Sequence, residues 1–363
     1  MLESPYYMRD STTMSADPLS DVLKITNAQS VVSGGFTAGG SWAIRFPAPG
    51  KIKFFGVVKG TCWLRIEGED VPVYLEAGDV FLLSAHRSFI LAAELASVPV
   101  DAADVFTAKV GTIAKLGGGD DYFLIGCHVQ LDAGSGGLLA DVLPPLIHVR
   151  AASPQATILH WLLDQLVRER AADLQAASIA SAQLAQLMFV QILRVHLETS
   201  DPLPAGWLRA VSDKRLAPAL RLMHGDPGHG WHLEELAKAA AMSRTTFVSH
   251  FKTVAGLAPL TYLTQWRMQL AQRALREENT PVSVLAQSLG YASESAFSNA
   301  FKRVTGHSPR RYRSSVRASS SAGDGGVTPS TTADSGRKVW TSQKNVHTER
   351  PRSHRSELPD SFP

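Results

Sequence analysis

Between residues 213 and 313 the apolar positions recur at helical spacing, and they do so twice. An offset of 50 residues matches Ser243 with Ser293, Phe247 with Phe297, Phe251 with Phe301, Lys252 with Lys302, Val254 with Val304, Gly256 with Gly306, Pro259 with Pro309 and Tyr262 with Tyr312. Eight identities in the twenty positions from Ser243 mark an internal repeat. Phe247, Phe251 and Val254 fall at i, i+4 and i+7, as do Phe297, Phe301 and Val304, so each copy predicts a helix with one apolar stripe. Ser243 and Ser293 are its N-caps, Gly256 and Gly306 its stops, and Pro259 and Pro309 follow three residues on. A shorter helical run precedes each copy, LEELAKAAAM at 233–242 and VSVLAQSLGY at 282–291. Leu260 to Glu277 has no Gly or Pro and predicts one long helix between the copies.

Upstream of residue 150 the period changes. KFFGVV, TCWLRIEG, VPVYLEAGDVFLLSAH and YFLIGCHVQLD are short runs punctuated by Gly-Glu-Asp and Ala-Gly-Asp turns, which predict an antiparallel β-sandwich or barrel. Helical spacing returns over 155–198, first with Ile158, Trp161, Leu162, Gln165 and Leu166, then with Leu184, Leu187, Met188, Ile192 and Val195. DPLPAGW at 201–207 reads as a linker. From 317 onward the chain turns polar and low in complexity, with too little apolar surface to offset its chain entropy.

Charge divides the chain in the same way. Residues 1–212 carry 15 Lys/Arg against 21 Asp/Glu, whereas residues 213–313 carry 14 against 7, so an acidic front joins a basic back. That asymmetry fits one domain that meets a polyanion. No apolar run approaches about 18 residues, and the longest apolar region, Phe89 to Val100, is broken by Glu94, so no membrane span is expected. The N-terminus lacks the basic and apolar regions of a secretory signal, and two cysteines, Cys62 and Cys127, make no disulfide framework; the expected location is cytoplasmic.

A single helix pair is an ordinary αα-hairpin in most proteins. Duplication, local positive charge and the cluster Arg310, Arg311 and Arg313 turn the reading to double-stranded DNA. The second helix of such a pair fits the major groove while the first braces it. With the phenylalanines turned inward, Arg244, Thr245, Val248, Ser249 and Lys252 face the DNA in the first unit, and Glu294, Ser295, Ser298, Asn299 and Lys302 in the second. Val248 suits a thymine methyl, and Asn299 suits adenine.

Residues 213–313, and above all LAQSLGYASESAFSNAFKRVTGHSPRRYR at 285–313, resemble the DNA-binding domain of the AraC/XylS family of bacterial transcription regulators. The resemblance implies two helix-turn-helix units on a bridging helix, promoter binding and activation through RNA polymerase. One position departs from the pattern between the units: the second turn has Gly290 where the first has Ala241, so a left-handed backbone costs more in the first. The N-terminal half resembles the cupin-like domain of a subgroup of that family, through KFFGVVKGTCWLRIEG and AGDVFLLSAH, which implies that the β-domain senses a small molecule or chemical stress and that the helices behind it form a homodimer.

The expected fold class is therefore an α+β multidomain chain. A flexible N-terminus spans 1–16, an antiparallel β, cupin-like sensor domain 17–150, a helical dimerisation region with its linker 151–207, an all-α double helix-turn-helix domain 208–316, and a disordered tail 317–363. Lys53, Arg65, Tyr74 and His86, polar positions near strand ends, are the effector-binding candidates, and Cys62 and Cys127 are the redox alternative. His86, His128 and His148 include no His-x-His pair, so neither a metal, a catalytic residue nor a cofactor is expected. The alternatives are a cupin-type metal enzyme and a protein-interaction adaptor carrying the same helix pairs.

Overall fold

The computed structural model describes residues 17–322 except 85, 108–112, 133, 173 and 200–202; the expectations for 1–16 and for the tail beyond 322 lie outside the described residues. Helix α1 (Pro18–Ile25) starts at Asp17, whose carboxylate accepts the Leu19 N–H. The β-domain follows as β1 (Gln29–Ala38), β2 (Ala43–Phe46), β3 (Ile52–Lys59), β4 (Thr61–Ile66), β5 (Val73–Glu76), β6 (Val80–Leu83), β7 (Phe89–Ala92) and β8 (Val100–Asp101). It continues with α2 (Ala102–Val105), β9 (Ile113–Leu116), β10 (Tyr122–Gln130), α3 (Gly137–Ala140) and β11 (Leu146–Val149). Two long helices come next, α4 (Ala156–Ala171) and α5 (Ala177–Thr199). The C-terminal part is α6 (Trp207–Ser212), α7 (Ala217–Gly225), α8 (Leu233–Ala239), α9 (Arg244–Ala255), α10 (Pro259–Glu277), α11 (Val282–Ser288), α12 (Glu294–Thr305) and α13 (Pro309–Ala322).

The strands form a six-stranded sheet, β11-β6-β3-β10-β1-β9, and a five-stranded one, β5-β4-β7-β2-β8. Pairing is antiparallel except at two edges, where β9 joins β1 and β8 joins β2 in parallel. Because side chains alternate across a strand, β3 sends Phe55 and Val57 between the sheets and Ile52 and Phe54 to the outer side. The inter-sheet core is largely aromatic, with Phe36, Trp42, Phe46, Phe55, Phe81, Phe89 and Tyr122. The outer face of the larger sheet is covered by α4 and α5, through Leu159, Leu162, Leu163, Leu166, Met188, Phe189 and Ile192. Asp79, in the Ala-Gly-Asp turn, pins β11 to that sheet: it accepts from His148 Nε2 at 2.8 Å, the Ala151 N–H at 2.7 Å and the Glu76 N–H at 3.1 Å. Burial alone would raise the Asp79 carboxyl, but these hydrogen bonds outweigh it and hold it below its ordinary range.

Several expectations change. On α4 the buried stripe is Leu159, Leu162, Leu163 and Leu166, while Ile158 and Trp161 face out; on α5, Met188, Ile192 and Val195 are buried and Leu187 is exposed. By length and composition α5 is apolar enough to cross a membrane, which a search for uninterrupted apolar runs does not register. Here it lies along β1 and α4, and Gln186 Oε1 accepts the Ser30 N–H at 2.8 Å. The expected linker is anchored: Leu203 and Trp207 are buried, and Trp207 Nε1 donates to Leu138 O at 2.7 Å. Helix α13 continues to Ala322, past the expected boundary at 316.

The repeat folds as its sequence predicts. Ser243 accepts the Thr246 N–H and Ser293 the Ala296 N–H, Gly256 and Gly306 end α9 and α12 at φ of +76° and +82°, and Pro259 and Pro309 open α10 and α13. The turns between paired helices are left-handed in both units, at Ala241 (φ +52°) and at Gly290 (φ +76°). Only the second is crowded, since a Cβ on Gly290 would lie 2.2 Å from Gly228 O.

Exposed Ala241 therefore carries backbone strain without a steric conflict. Ala241→Gly should stabilise the protein by about 0.5–1 kcal/mol, net of the freer unfolded chain. Gly290→Ala should cost more than about 2 kcal/mol, because strain and overlap combine. Urea melts of both variants check the pair, and equal shifts of the same sign would refute the assigned difference.

Candidate DNA interface and effector site

Caps and apolar stripes set the recognition helices. The stripe Phe247, Phe251 and Val254 on α9, and Phe297 and Phe301 on α12, packs inward, which leaves the opposite faces open. On α9, Arg244, Thr245, Ser249 and Lys252 are exposed, whereas Val248 is half-buried against the core and offers only part of its side chain to a base. On α12, Ser295, Asn299 and Lys302 are exposed, and Glu294 and Ser298 are half-buried. Arg244 pairs with Glu234 at 3.1 Å and Glu294 with Arg310 at 3.5 Å, so DNA phosphates would compete with carboxylates for both cations. Exposed Arg303 and Arg311 extend the cationic surface of the second unit.

The relation between the units depends on a residue with no sequence signature. Arg267 on α10 donates from Nε to Pro227 O at 2.6 Å and from Nη2 to His229 O at 2.8 Å, with its guanidinium over the Tyr291 ring at 5.7 Å. It thereby clasps the loop before the first unit and the turn of the second. Gly228 and Gly290 meet at that point, where neither tolerates a Cβ. One of three arginines in an amphipathic helix, it gives no signal of this in sequence.

The four effector candidates do not converge, and strand parity is the reason. Lys53 shares the inter-sheet side of β3 with Phe55. Arg65 and Tyr74 lie on the outer side of the smaller sheet, where the Tyr74 ring meets that of Trp63 at a tilt, 4.9 Å between centroids, and Arg65 lines a groove with Arg45, Glu67 and Ser88. His86 is exposed beyond β6, 3.9 Å from Asp141. Instead, register places Leu146, Leu83, Lys53, His128 and Val31 in one row across β11, β6, β3, β10 and β1. His128 Nδ1 lies 2.8 Å from Ser33 Oγ, at the bulge of β1. Burial, then the neighbouring Lys51 charge, lowers the Lys53 ammonium; burial, then Lys51 and Lys53, lowers the His128 imidazole. Leu146, about 10 Å from Lys53 at two strand spacings, lines a cleft of about 220 Å³ with Leu64, Ile66, Val71 and Val73.

The cysteines are separate. Cys62 lies between the sheets, 3.1 Å from Tyr122 OH, and Cys127 faces the helices together with Ile125 and Val129. Burial pushes both thiols up to about 12, so both are protonated and poorly reactive. The structure gives the redox alternative no support. Among the described residues no three His, Cys, Asp or Glu side chains gather as a metal-binding set.

Comparison with known proteins bears directly on the two halves. Residues 17–198 match the family described as Cupin, and residues 236–315 the family described as Helix-turn-helix domain. An AraC-like transcription regulator of Streptomyces antibioticus is 43% identical over 82% of this chain and 98% of its own length. An HTH-type transcriptional regulator of Haemophilus influenzae is 30% identical over 76% of this chain and 91% of its own length. Among solved structures, the DNA-binding domain of the global transcriptional factor AdpA in complex with a target DNA is 33% identical over 30% of this chain and 96% of that one, with a TM-score of 0.28. Two capped helix-turn-helix units behind a cupin-type β-domain, in a chain 43% identical to such a regulator over 82% of its length, are a DNA-binding transcription regulator, and the chain belongs to the AraC-like family.

Proposed function

We propose that this regulator is a cytoplasmic, homodimeric activator that contacts RNA polymerase, with an effector-sensing domain at 17–150, a dimerisation region at 151–207 and a DNA-binding domain at 208–316. The observation that carries the DNA reading is the pair of open recognition faces fixed to one another through Arg267. Ser249→Ala or Asn299→Ala should weaken binding to a duplex selected from a random pool by about 1–3 kcal/mol and spare nonspecific DNA. Lys252→Ala should weaken all sequences and lower the salt slope by about one. Unaltered sequence preference in both Ser249 and Asn299 variants would remove the assigned faces.

For the effector we favour an organic anion. Lys51, Lys53 and His128 crowd one end of the sandwich, and no carboxylate pairs with either lysine among the described residues. An anionic headgroup would relieve that repulsion, with its apolar body toward the cleft at Leu146. His128 has a lowered folded pKa, and an anion stabilises its protonated form. Octanoate should therefore bind more tightly as pH falls below about 6.5. Thermal stability of the full chain, titrated with octanoate and with octanol as the neutral control, measures this. A response that is equal for both, or that keeps its pH dependence in His128→Gln, counts against the site.

Dimerisation is assigned to the outward side of α4 and α5, where Ile158, Trp161, Ile179 and Leu187 are 51%, 57%, 65% and 42% exposed. Val195 is a core residue, so the informative substitutions are Trp161→Glu and Leu187→Lys. Together they should give a monomer in sedimentation that melts as the parent does and binds DNA more weakly. A dimer of unchanged stability would move the interface elsewhere.

A further inference from the structure

The repeat allows a comparison within one chain, because each position of the first unit has a counterpart 50 residues on in the second. Residues 233–263 carry three Lys/Arg against two Asp/Glu, and residues 282–313 carry five against one. Four positions make the difference among the cations. Thr253, Leu260, Thr261 and Leu263 in the first unit correspond to Arg303, Arg310, Arg311 and Arg313 in the second. Arg313 is half-buried and bonded to Thr280 O, so it serves the fold. Arg303, Arg310 and Arg311 are exposed, as are Thr253, Leu260 and Thr261, so packing does not select a cation at those three positions.

Their placement suits a duplex. Lys302 and Arg303 come three and four residues after Asn299, on its side of α12 and one turn further along. Arg310 serves the opposite end of that helix. From the start of α13, its Nη2 comes within 3.5 Å of Glu294 Oε1 in the first turn of α12, and Arg311 follows it. The twelve residues of α12 span about 18 Å, with uncharged Ser295, Ser298 and Asn299 between the two cationic ends. Phosphates line both edges of a major groove about 12 Å wide, so a helix lying in it can meet one strand with each end.

The first recognition helix is set differently. Arg244 is paired with Glu234 at 3.1 Å, and Glu235 is exposed on the same helix, α8. Beside Lys252 stands Thr253, whose hydroxyl donates to Ser249 O at 3.0 Å. The unit also shares its apolar core with the β-domain, and residues 1–212 carry 21 anions against 15 cations. Attraction to phosphate follows charge and ignores sequence, whereas Thr245, Val248 and Ser249 gain only from bases that fit them.

We propose that the two units divide the work on DNA. Lys302, Arg303, Arg310 and Arg311 make the second unit a phosphate grip that holds any duplex, and the first unit docks mainly through its base contacts. The proposal rests on the DNA reading and adds to it which unit supplies the sequence-independent hold.

In the full chain, Arg303→Thr, Arg310→Leu and Arg311→Thr together give the second unit the side chains of the first. Affinity for the selected duplex and for one of unrelated sequence is measured across salt concentrations. Both log–log slopes should fall by about three, against about one for Lys252→Ala, with the ratio of the two affinities held within about threefold. A fall of one or less on either duplex overturns the grip, as does a loss confined to the selected duplex, which would make these residues base readers. Should this variant melt early, the reciprocal one decides: Thr253→Arg, Leu260→Arg and Thr261→Arg should raise the slope on the selected duplex by about two or more. An unchanged slope there also overturns the proposal. Either failure leaves the Ser249 and Asn299 assignments standing, whereas a parent chain with no affinity for either duplex would sink the DNA reading itself.

Discussion

The continuous apolar core that runs from the larger sheet through α4 and α5 into the first helix pair constrains everything else in this molecule. At its C-terminal end lies a buried polar cluster. His224 is wholly enclosed, stacked on Trp266 at 3.8 Å, with Nε2 2.9 Å from Tyr262 OH and Nδ1 3.3 Å from Asp21 on α1. Burial lowers the His224 pKa despite the nearby carboxylate, so the neutral ring is favoured: Nδ1–H donates to Asp21, and Nε2 accepts from the tyrosine. Such a network binds one arrangement of α1, α7 and α10 and penalises others, because any shift would strand a buried polar group. With Trp207 bonded to Leu138 O, the first recognition helix becomes an extension of the β-domain.

That fixity gives the molecule a direction of control. Typical allosteric couplings amount to about 1–3 kcal/mol, far less than separating a shared hydrophobic core would cost. The first unit is therefore a poor place to apply a signal. The second has a separate core, and Arg276 ties it to Asp132 by a polar contact. Arg267 restrains it from the other side, so its freedom is a limited change at the Gly228 and Gly290 contact.

The parts legible in the sequence are those whose physics is local. Caps at Ser243 and Ser293, stops at Gly256 and Gly306 and the Phe stripes depend on neighbours within one turn, and the structure reproduces each. Strands β3, β4, β5, β6 and β10 were also readable, as alternating or wholly apolar runs. The strand β1 was not, because Ser33, Gly34 and Gly35 interrupt its pattern at a bulge set by pairing with β10, nearly 100 residues away. The α4 stripe is not legible, because Ile158 and Trp161, apolar but exposed, are indistinguishable in sequence from Leu159 and Leu163. Lys53, Arg65, Tyr74 and His86 share only nearness to turns in the sequence, and register divides them among an interior, an outer face and a loop.

The same long-range terms narrow what the β-domain can sense. A redox switch needs a thiolate, and a thiolate needs water or a cation. Cys62 is fully buried in the apolar core between the sheets, with the Tyr122 hydroxyl 3.1 Å away, and burial raises its pKa to about 12. Cys127 is influenced by Arg170, yet desolvation outweighs that charge. The two lie on opposite sides of one sheet, so joining them would require strands to come apart. On the proposed reading what is left is non-covalent chemistry at the end of the sandwich, where Lys53 pairs in register with His128 and no carboxylate among the described residues is bonded to Lys51 or Lys53. Burial and the neighbouring lysine charges both disfavour the charged forms of Lys53 and His128, and an anion bound there would offset part of that penalty, which is the source of affinity the proposal assigns to it.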